Sequence, residues 1–422
     1  MPDFLIFLIM VAVFILAAAV PRLPIGVSLI LAALAGAVAG GEGIALRHLV
    51  EGGFGFFDVM LIILAAVLFM KVLQASGALD SLAAVLLKAF YRRKTLLLLT
   101  TTVLVMFPGM ITGSSTASVL TSGPLVAPVL MKLGLSRLRT GAFIAMAAVL
   151  GMIAPPINIL VMIMGGGVDM PYVGVAGPLL LIVVPLAVVI PLWIGLKHIR
   201  VLGIEDMRAI LPESLFPKYG LKLYLPLVLV IGLMAGQRAL VKIMPDIGIP
   251  GIFLAGSLLG LVCGRPFNLW KTTRKAVEEA LPILTILAGV GMFIQIMTLT
   301  GGRGWVVMTF LSMPSGFLYA AIATSMPLFG GISAYGASSI LGVPFILAMI
   351  NKNAILTSTA LSAVAGLGDL VPPTALAGIF AAQVVEEKNY FRVLRHCLVP
   401  AIFVLAVGIG ILVAAPWLDI FF

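Results

Sequence analysis

Charge is what this chain has least of. Only 10% of its 422 residues are Asp, Glu, Lys or Arg, against a hydrophobic share of 62%. Soluble domains carry about 25% charged residues, so a water-soluble globular fold is excluded. Cysteine and histidine are scarce too, at two and three residues. Cys263 and Cys397 show no metal-ligand spacing and no disulfide framework, and read as small apolar packing residues. His48, His198 and His396 fall in loops or at helix ends, and the sequence contains no His-Glu-x-x-His or Gly-x-Ser-x-Gly. Its longest polar stretch, about 197–220, is too short for a soluble domain.

What is there is apolar. Runs long enough to cross a hydrocarbon core of ~30 Å recur along the whole chain, the pattern of an all-α polytopic membrane protein. The net charge of +10 sits in short loops between the runs. It reads as orientation signals and contacts to anionic lipid rather than to nucleic acid. The N-terminal run ends in alanines like a signal peptide, but Asp3 precedes it and no Lys or Arg does. It is read as the first span, with the N-terminus outside. Lys71, near the cytoplasmic end of its span, is expected to snorkel.

The chain repeats itself. "FMKVLQASG" (69–77) resembles "FIQIMTLTG" (293–301), "MFPGMITGSS" (106–115) resembles "SMPLFGGISA" (325–334), and "GMIAPP" (151–156) answers "DLVPP" (369–373). Three matches in one order imply a duplication. Arg92, Arg93 and Lys94 on one side, and Lys132, Arg137 and Arg139 on the other, bracket residues 95–131. That segment is too long for one span and basic at both ends, which predicts a re-entrant hairpin from the cytoplasm. Its counterpart, 315–350, has only Lys352 beside it and is expected to open outward.

Ten crossings are expected, over 4–20, 23–41, 56–75, 140–168, 173–196, 222–240, 247–264, 280–299, 353–385 and 397–416, with 78–91 as an interfacial helix. This places most basic residues inside, Arg22, Lys197, Arg200, Arg208, Lys218, Lys222, Arg265, Lys271, Arg274 and Lys275 among them; Arg47, Arg238, Lys242, Arg303 and Lys352 remain outside. Five crossings per half, an odd number, make the halves inverted. The expected organisation is a first repeat over 1–200 (hairpin 95–131, broken helix 140–168) and a cytoplasmic linker over 201–221. A second repeat over 222–396 (hairpin 315–350, broken helix 353–385) and a C-terminal helix over 397–422 follow.

Each half also breaks a membrane helix with two consecutive prolines, Pro155-Pro156 and Pro372-Pro373. A proline inside a helix costs about 3 kcal/mol or more, and hydrocarbon offers no water to the freed carbonyls. Such breaks are tolerated where they line an ion or substrate cavity. Carbonyls and hydroxyls are hard ligands for a cation such as Na⁺, while half-helix N-termini favour an anion. The hairpin tips supply Thr112, Gly113, Ser114, Ser115, Thr116 and Ser118, then Gly330, Gly331, Ser333, Ala334, Gly336, Ser338 and Ser339; Asn158 and Thr374 follow the breaks. One serine alone more often bonds back to its own helix. The pairing of clusters with breaks is what points to a site.

The "GSSTAS" tip, the "GMIAPPINI" and "VPPTAL" breaks and the terminal "LVPAIFVLAVGIGILVAAPWL" together resemble the large permease subunit of tripartite ATP-independent periplasmic (TRAP) transporters. That subunit belongs to an ion-transporter superfamily of inverted-repeat elevators. The resemblance spans nearly the whole chain. It implies a bacterial cytoplasmic-membrane permease, with both termini periplasmic, for sodium-driven uptake of carboxylates such as C4-dicarboxylates or sialic acid. It also implies a small membrane subunit and a periplasmic substrate-binding protein as partners, with Na⁺ as coupling ion and no covalent cofactor. By the same resemblance, sodium sites lie at Ser114, Ser115, Asn158, Ser333 and neighbours. The ion is accordingly expected at Thr112, Gly113, Ser114, Ser115, Asn158, Gly331, Ser333 and Thr374. The substrate is expected beside Thr116, Ser118, Pro155, Pro156, Ser338, Asp369, Pro372 and Pro373. Two positions depart from the family pattern: Ser118 stands where an acid is common, and Ala154-Pro155-Pro156-Ile157 where Ile-Pro-Pro-Ser is.

Three other readings stay open at this point. A self-sufficient sodium–carboxylate symporter of the same superfamily would share every feature above. A passive channel is disfavoured by twin breaks in inverted repeats. "GLGD" at 366–369 matches the GxGD of intramembrane aspartyl proteases. That chemistry needs two carboxylates sharing a proton, and the nearest candidate, Asp58, lies near the outer end of its span.

Overall fold

Ser114, Ser136, Asn158, Asn268, Ser333 and Asn353 each start a helix by accepting an orphan backbone N–H on the side chain. A computed structural model describes residues 1–20, 23–200, 205, 211–239, 247–349 and 351–418. Arg22, Arg208, Lys242 and residues 201–204 and 206–210 of the linker 201–221 lie outside them. Among the described residues there is no strand. The first ten helices are α1 (Asp3–Ala19), α2 (Ile25–Ala39), α3 (Leu46–Phe54), α4 (Phe57–Ala75), α5 (Ala78–Phe90), α6 (Lys94–Thr112), α7 (Ser115–Lys132), α8 (Arg137–Ile153), α9 (Ile159–Gly167) and α10 (Ala176–Gly195). A short helical stretch over 216–224 leads into α11 (Leu225–Ala239), followed by α12 (Gly248–Gly260), α13 (Leu269–Leu299), α14 (Gly302–Leu311) and α15 (Ser315–Gly330). Then come α16 (Ala334–Ala348, with a π turn over Ser338–Gly342), α17 (Ala354–Gly366), α18 (Leu376–Val384) and α19 (Tyr390–Leu418).

Among the described residues, six helical stretches are long and apolar enough to cross a membrane: α4, α6, α10, α13, α19 and Phe216–Gln237. This is a multi-pass membrane protein. The order from α4 to α10 recurs from α13 to α19: long helix, short helix, two-armed hairpin, helix broken by two prolines, long helix.

Some boundaries differ from expectation. α13 starts at Leu269 rather than 280, because Asn268 caps it, accepting the Lys271 N–H at 2.9 Å, and no Gly or Pro intervenes before Pro282. Arg274 pairs with Glu278 one turn on at 2.9 Å, which favours helix. Lys271, Arg274 and Lys275 therefore lie on a helix, not in a loop. The C-terminal helix starts at Tyr390, not 397, and α3 and α14 form where no element was expected.

Among the described residues, apolar side chains gather in two large cores, with a small third cluster of Val161, Val175 and Leu179. One joins α6, α7, α8, α10, α15, α17, α18 and α19, the hairpins and broken helices with their supports. The other joins α1, α2, α4, α11, α12 and α13. Helices α9 and α16 contribute to both, with Leu160, Met164 and Phe345 on the first side and Ile159, Ile163 and Val343 on the second.

Candidate functional site

The two hairpins share a serine cap at the turn, while the left-handed glycine belongs to the first alone, Gly331 of the second being right-handed. Helix α6 closes at Gly113, whose φ of +66° is the left-handed conformation glycine adopts without a Cβ clash. Ser114 then starts α7 by accepting the Ala117 N–H on its Oγ at 3.3 Å. In the second half Ser333 starts α16 by accepting the Gly336 N–H at 3.1 Å. Each break is fastened to the hairpin before it. The Ile157 N–H donates to the Met110 carbonyl at 3.1 Å. The Thr374 N–H and Oγ1 both donate to the Gly331 carbonyl, at 3.0 and 2.8 Å. Both Pro-Pro bonds are cis. Gly109 crosses Gly151, and Gly330 crosses Gly368, at distances that leave no room for a Cβ on either partner.

These fastenings bring the two tips together. The Ser115 hydroxyl donates to the Asp369 carboxylate, joining the first hairpin to the segment before the second break. The Tyr335 hydroxyl, one residue into α16, donates to the Gly113 carbonyl at 3.1 Å. A cavity of about 620 Å³ opens beside them. Thr112, Ser114, Ser115 and Thr116 line it from the first hairpin, Tyr335 from the second, with Asp369 between them; Lys71 and Gln74 of α4, Asp80 of α5 and Glu279 of α13 form the far wall. One lysine thus faces three carboxylates, and that lysine is ion-paired to Glu279.

The structure sorts the expected residues. Thr112, Ser114, Ser115, Thr116 and Asp369 reach the cavity. Gly113 supplies the carbonyl that Tyr335 holds. Gly331, Ser333 and Thr374 are spent on the second turn and its fastening. Asn158 is buried away from the cavity: its Nδ2 donates to the Ile153 carbonyl at 2.9 Å and to Ser362 Oγ at 3.0 Å. Its Oδ1 caps α9 by accepting the Val161 N–H at 3.1 Å. Ser118 packs against Gly109 with its buried Oγ unpartnered. Ser338 bonds back to the Ala334 carbonyl at 3.1 Å. Pro155, Pro156 and Pro373 do not line the cavity, and Pro372 lines a separate apolar groove.

Lys71 does not snorkel. It donates to Glu279 and, at 3.2 Å, to Gln74 Oε1, and Gln74 passes the chain on by donating to Thr121 Oγ1 of α7 at 2.8 Å. Sequence reading missed Glu279, Gln74 and Tyr335. Lys71 inside an apolar run was the available signal, since an intramembrane ionisable group calls for a partner. The protease reading fails on geometry: Asp369 meets a serine, and Asp58 is exposed on the first turn of α4.

Comparison with known proteins bears on the whole chain. The chain is similar in structure to the YdaH transporter of Alcanivorax borkumensis, with a TM-score of 0.63 and 16% identity over 88% of each chain. It is also similar to MtrF of Neisseria gonorrhoeae, described as one of a class of antimetabolite efflux pumps, with a TM-score of 0.59 and 17% identity over 87% of this chain and 83% of that one. At such identities the likeness shows a shared transporter fold. Comparison with curated proteins returns no match. The family model for the tripartite ATP-independent periplasmic transporter, DctM component, matches residues 5–418. The chain therefore belongs to the DctM family, the large membrane component of tripartite ATP-independent periplasmic transporters, and is a secondary transporter rather than an enzyme.

Proposed function

We propose that this chain is the permease of a sodium-coupled uptake system for an organic anion, a C4-dicarboxylate or another carboxylate. The observation that supports this best is the closure of the two hairpin tips on one another, through Ser115–Asp369 and Tyr335–Gly113, beside one cavity. The first turn of α7 faces that cavity, and a helix N-terminus carries partial positive charge suited to a carboxylate. The ionisable lining carries more negative than positive charge, one lysine against Asp80, Glu279 and Asp369. An anion entering such a cavity gains from a cation entering with it, which is a physical reason for Na⁺ coupling. Ser114, Ser115, the Asp369 carboxylate and the carbonyls of the first turn are the oxygens that would hold it.

The two cores supply the moving parts on this reading. The hairpin core slides as an elevator against the α1, α2, α4, α11–α13 core, the two halves are inverted repeats, and the termini face the periplasm of a bacterial cytoplasmic membrane. A small membrane subunit braces the static core, and a periplasmic binding protein delivers the anion. The test is uptake into vesicles holding the purified three-component system, with an inward Na⁺ gradient and a panel of labelled carboxylates. Accumulation of one carboxylate that collapses when K⁺ replaces Na⁺ supports the reading. Accumulation independent of Na⁺ overturns the coupling, and accumulation by this chain alone favours a self-sufficient symporter.

A further inference from the structure

Helix α10 runs out of the apolar interior into a cluster of cations. Lys197 and His198 follow its last turn. Arg139 on the first turns of α8 and His396 on α19 stand beside them, and the four line a cavity of about 640 Å³ whose remaining wall is apolar, Trp193 included. No carboxylate lines it. Among the described residues Arg139 and Lys197 form no ion pair, whereas Arg47, Arg137, Arg274 and Arg392 each have a glutamate. The Nδ1 of His198 is buried without a partner, and His396 donates its own Nδ1 hydrogen to the Arg392 carbonyl at 3.0 Å. Trp193 meets Phe403 edge-on at 5.6 Å, which sets the indole at the cavity's edge.

A solvated arginine at a helix end needs no ligand. Two cations without an ion pair and two histidines around one concave, apolar-walled cavity are a different case, because no carboxylate in its lining competes with an anionic ligand for them. Val189, Leu192 and Trp193 carry the wall along α10 below Lys197. Eight residues of helix rise about 12 Å, close to the ~15 Å depth of one hydrocarbon leaflet. Tryptophan one turn below the cations, with aliphatic side chains beneath it, reproduces the layering of a membrane interface. We infer that this cavity binds one anionic glycerophospholipid, its phosphodiester against Arg139, Lys197 and the histidines, and one acyl chain along Val189, Leu192 and Trp193. Basic pockets between membrane helices hold lipid headgroups in this way. The site is separate from the hairpin cavity and shares none of its residues.

Trp193 makes the site readable. The full chain, purified in detergent, is titrated with phosphatidylglycerol or phosphatidylcholine carrying brominated acyl chains, and tryptophan quenching is followed. Phosphatidylglycerol is expected to quench saturably and at least tenfold more tightly than phosphatidylcholine. Trp193→Phe should remove the saturable part, and Arg139→Gln and Lys197→Gln should each weaken it about fivefold. Equal quenching by the two lipids overturns the headgroup assignment, and saturable quenching that survives Trp193→Phe places the lipid elsewhere. Should the charge variants not fold, the two lipids on the parent protein and on Trp193→Phe still decide the matter.

Discussion

Two glycines in each half do the work of bringing hairpin and broken helix together. A Cβ on Gly368 would lie 2.4 Å from the Gly330 backbone, and one on Gly151 would lie 2.5 Å from the Met106 carbonyl. Backbone cannot yield as a flexible side chain can. Gly368→Ala should therefore cost about 1–3 kcal/mol, whereas Gly304→Ala, which meets nothing, should be neutral or slightly stabilising. Melting of the two variants in detergent checks this, and equal midpoints would contradict the tight crossing. Lys71 carries a second residue-scale prediction. Its partner Glu279 keeps 35% of its side chain exposed, while Lys71 keeps 17%, so removing the lysine strands a half-buried carboxylate. Lys71→Met should destabilise the protein, and adding Glu279→Gln should recover part of the loss. A double variant as unstable as the sum of the two single ones would show the pair to be uncoupled. Lys71 illustrates what one sequence hides: a lone cation near a span end reads as snorkelling until a partner on a distant helix appears.

The elements most legible in the sequence were those whose signal is local. Two prolines in a row stop a helix by sterics alone, and Gly-Ser-Ser after an apolar run is both a left-handed stop and a serine cap. The two breaks and the first turn accordingly fall where they were read, and the second turn keeps the serine cap without a left-handed glycine. Less legible was anything set by long-range packing. Nothing in "PPINIL" (155–160) tells whether Asn158 faces a cavity; in the structure its amide is consumed by Ile153, Ser362 and Val161. The start of α13 was missed because its first three turns are charged, and amphipathic helix there looks like loop. The sidedness of the hairpins is the prediction that belongs to this scale. Single cysteines at Arg93 and Arg137 should label only from the cytoplasm, and one at the exposed Asn351 only from outside. Labelling of Arg93 and Arg137 from opposite faces would mean that residues 95–131 cross the membrane.

For the molecule as a whole, the division into two large apolar cores, with α9 and α16 contributing to both, is what the proposed elevator motion would use to move one core on the other. The cavity lies across that division, with the hairpin tips on one wall and Lys71, Gln74 and Glu279 on the other. The Lys71–Gln74–Thr121 chain crosses from α4 to α7 and would have to break in such a stroke. A cysteine pair replacing Gln74 and Thr121 should therefore stop transport when oxidised and release it when reduced, and full transport in the oxidised form would rule out relative motion at this contact. The central claim, that Na⁺ binds where the tips close, is tested most directly by the sodium midpoint of carboxylate uptake in vesicles holding the complete system. Ser115→Ala removes one oxygen from the contact with Asp369 and adds no bulk. The account predicts a midpoint at least severalfold higher than the parent's with the protein still folded, and an unchanged midpoint in Ser115→Ala would contradict it.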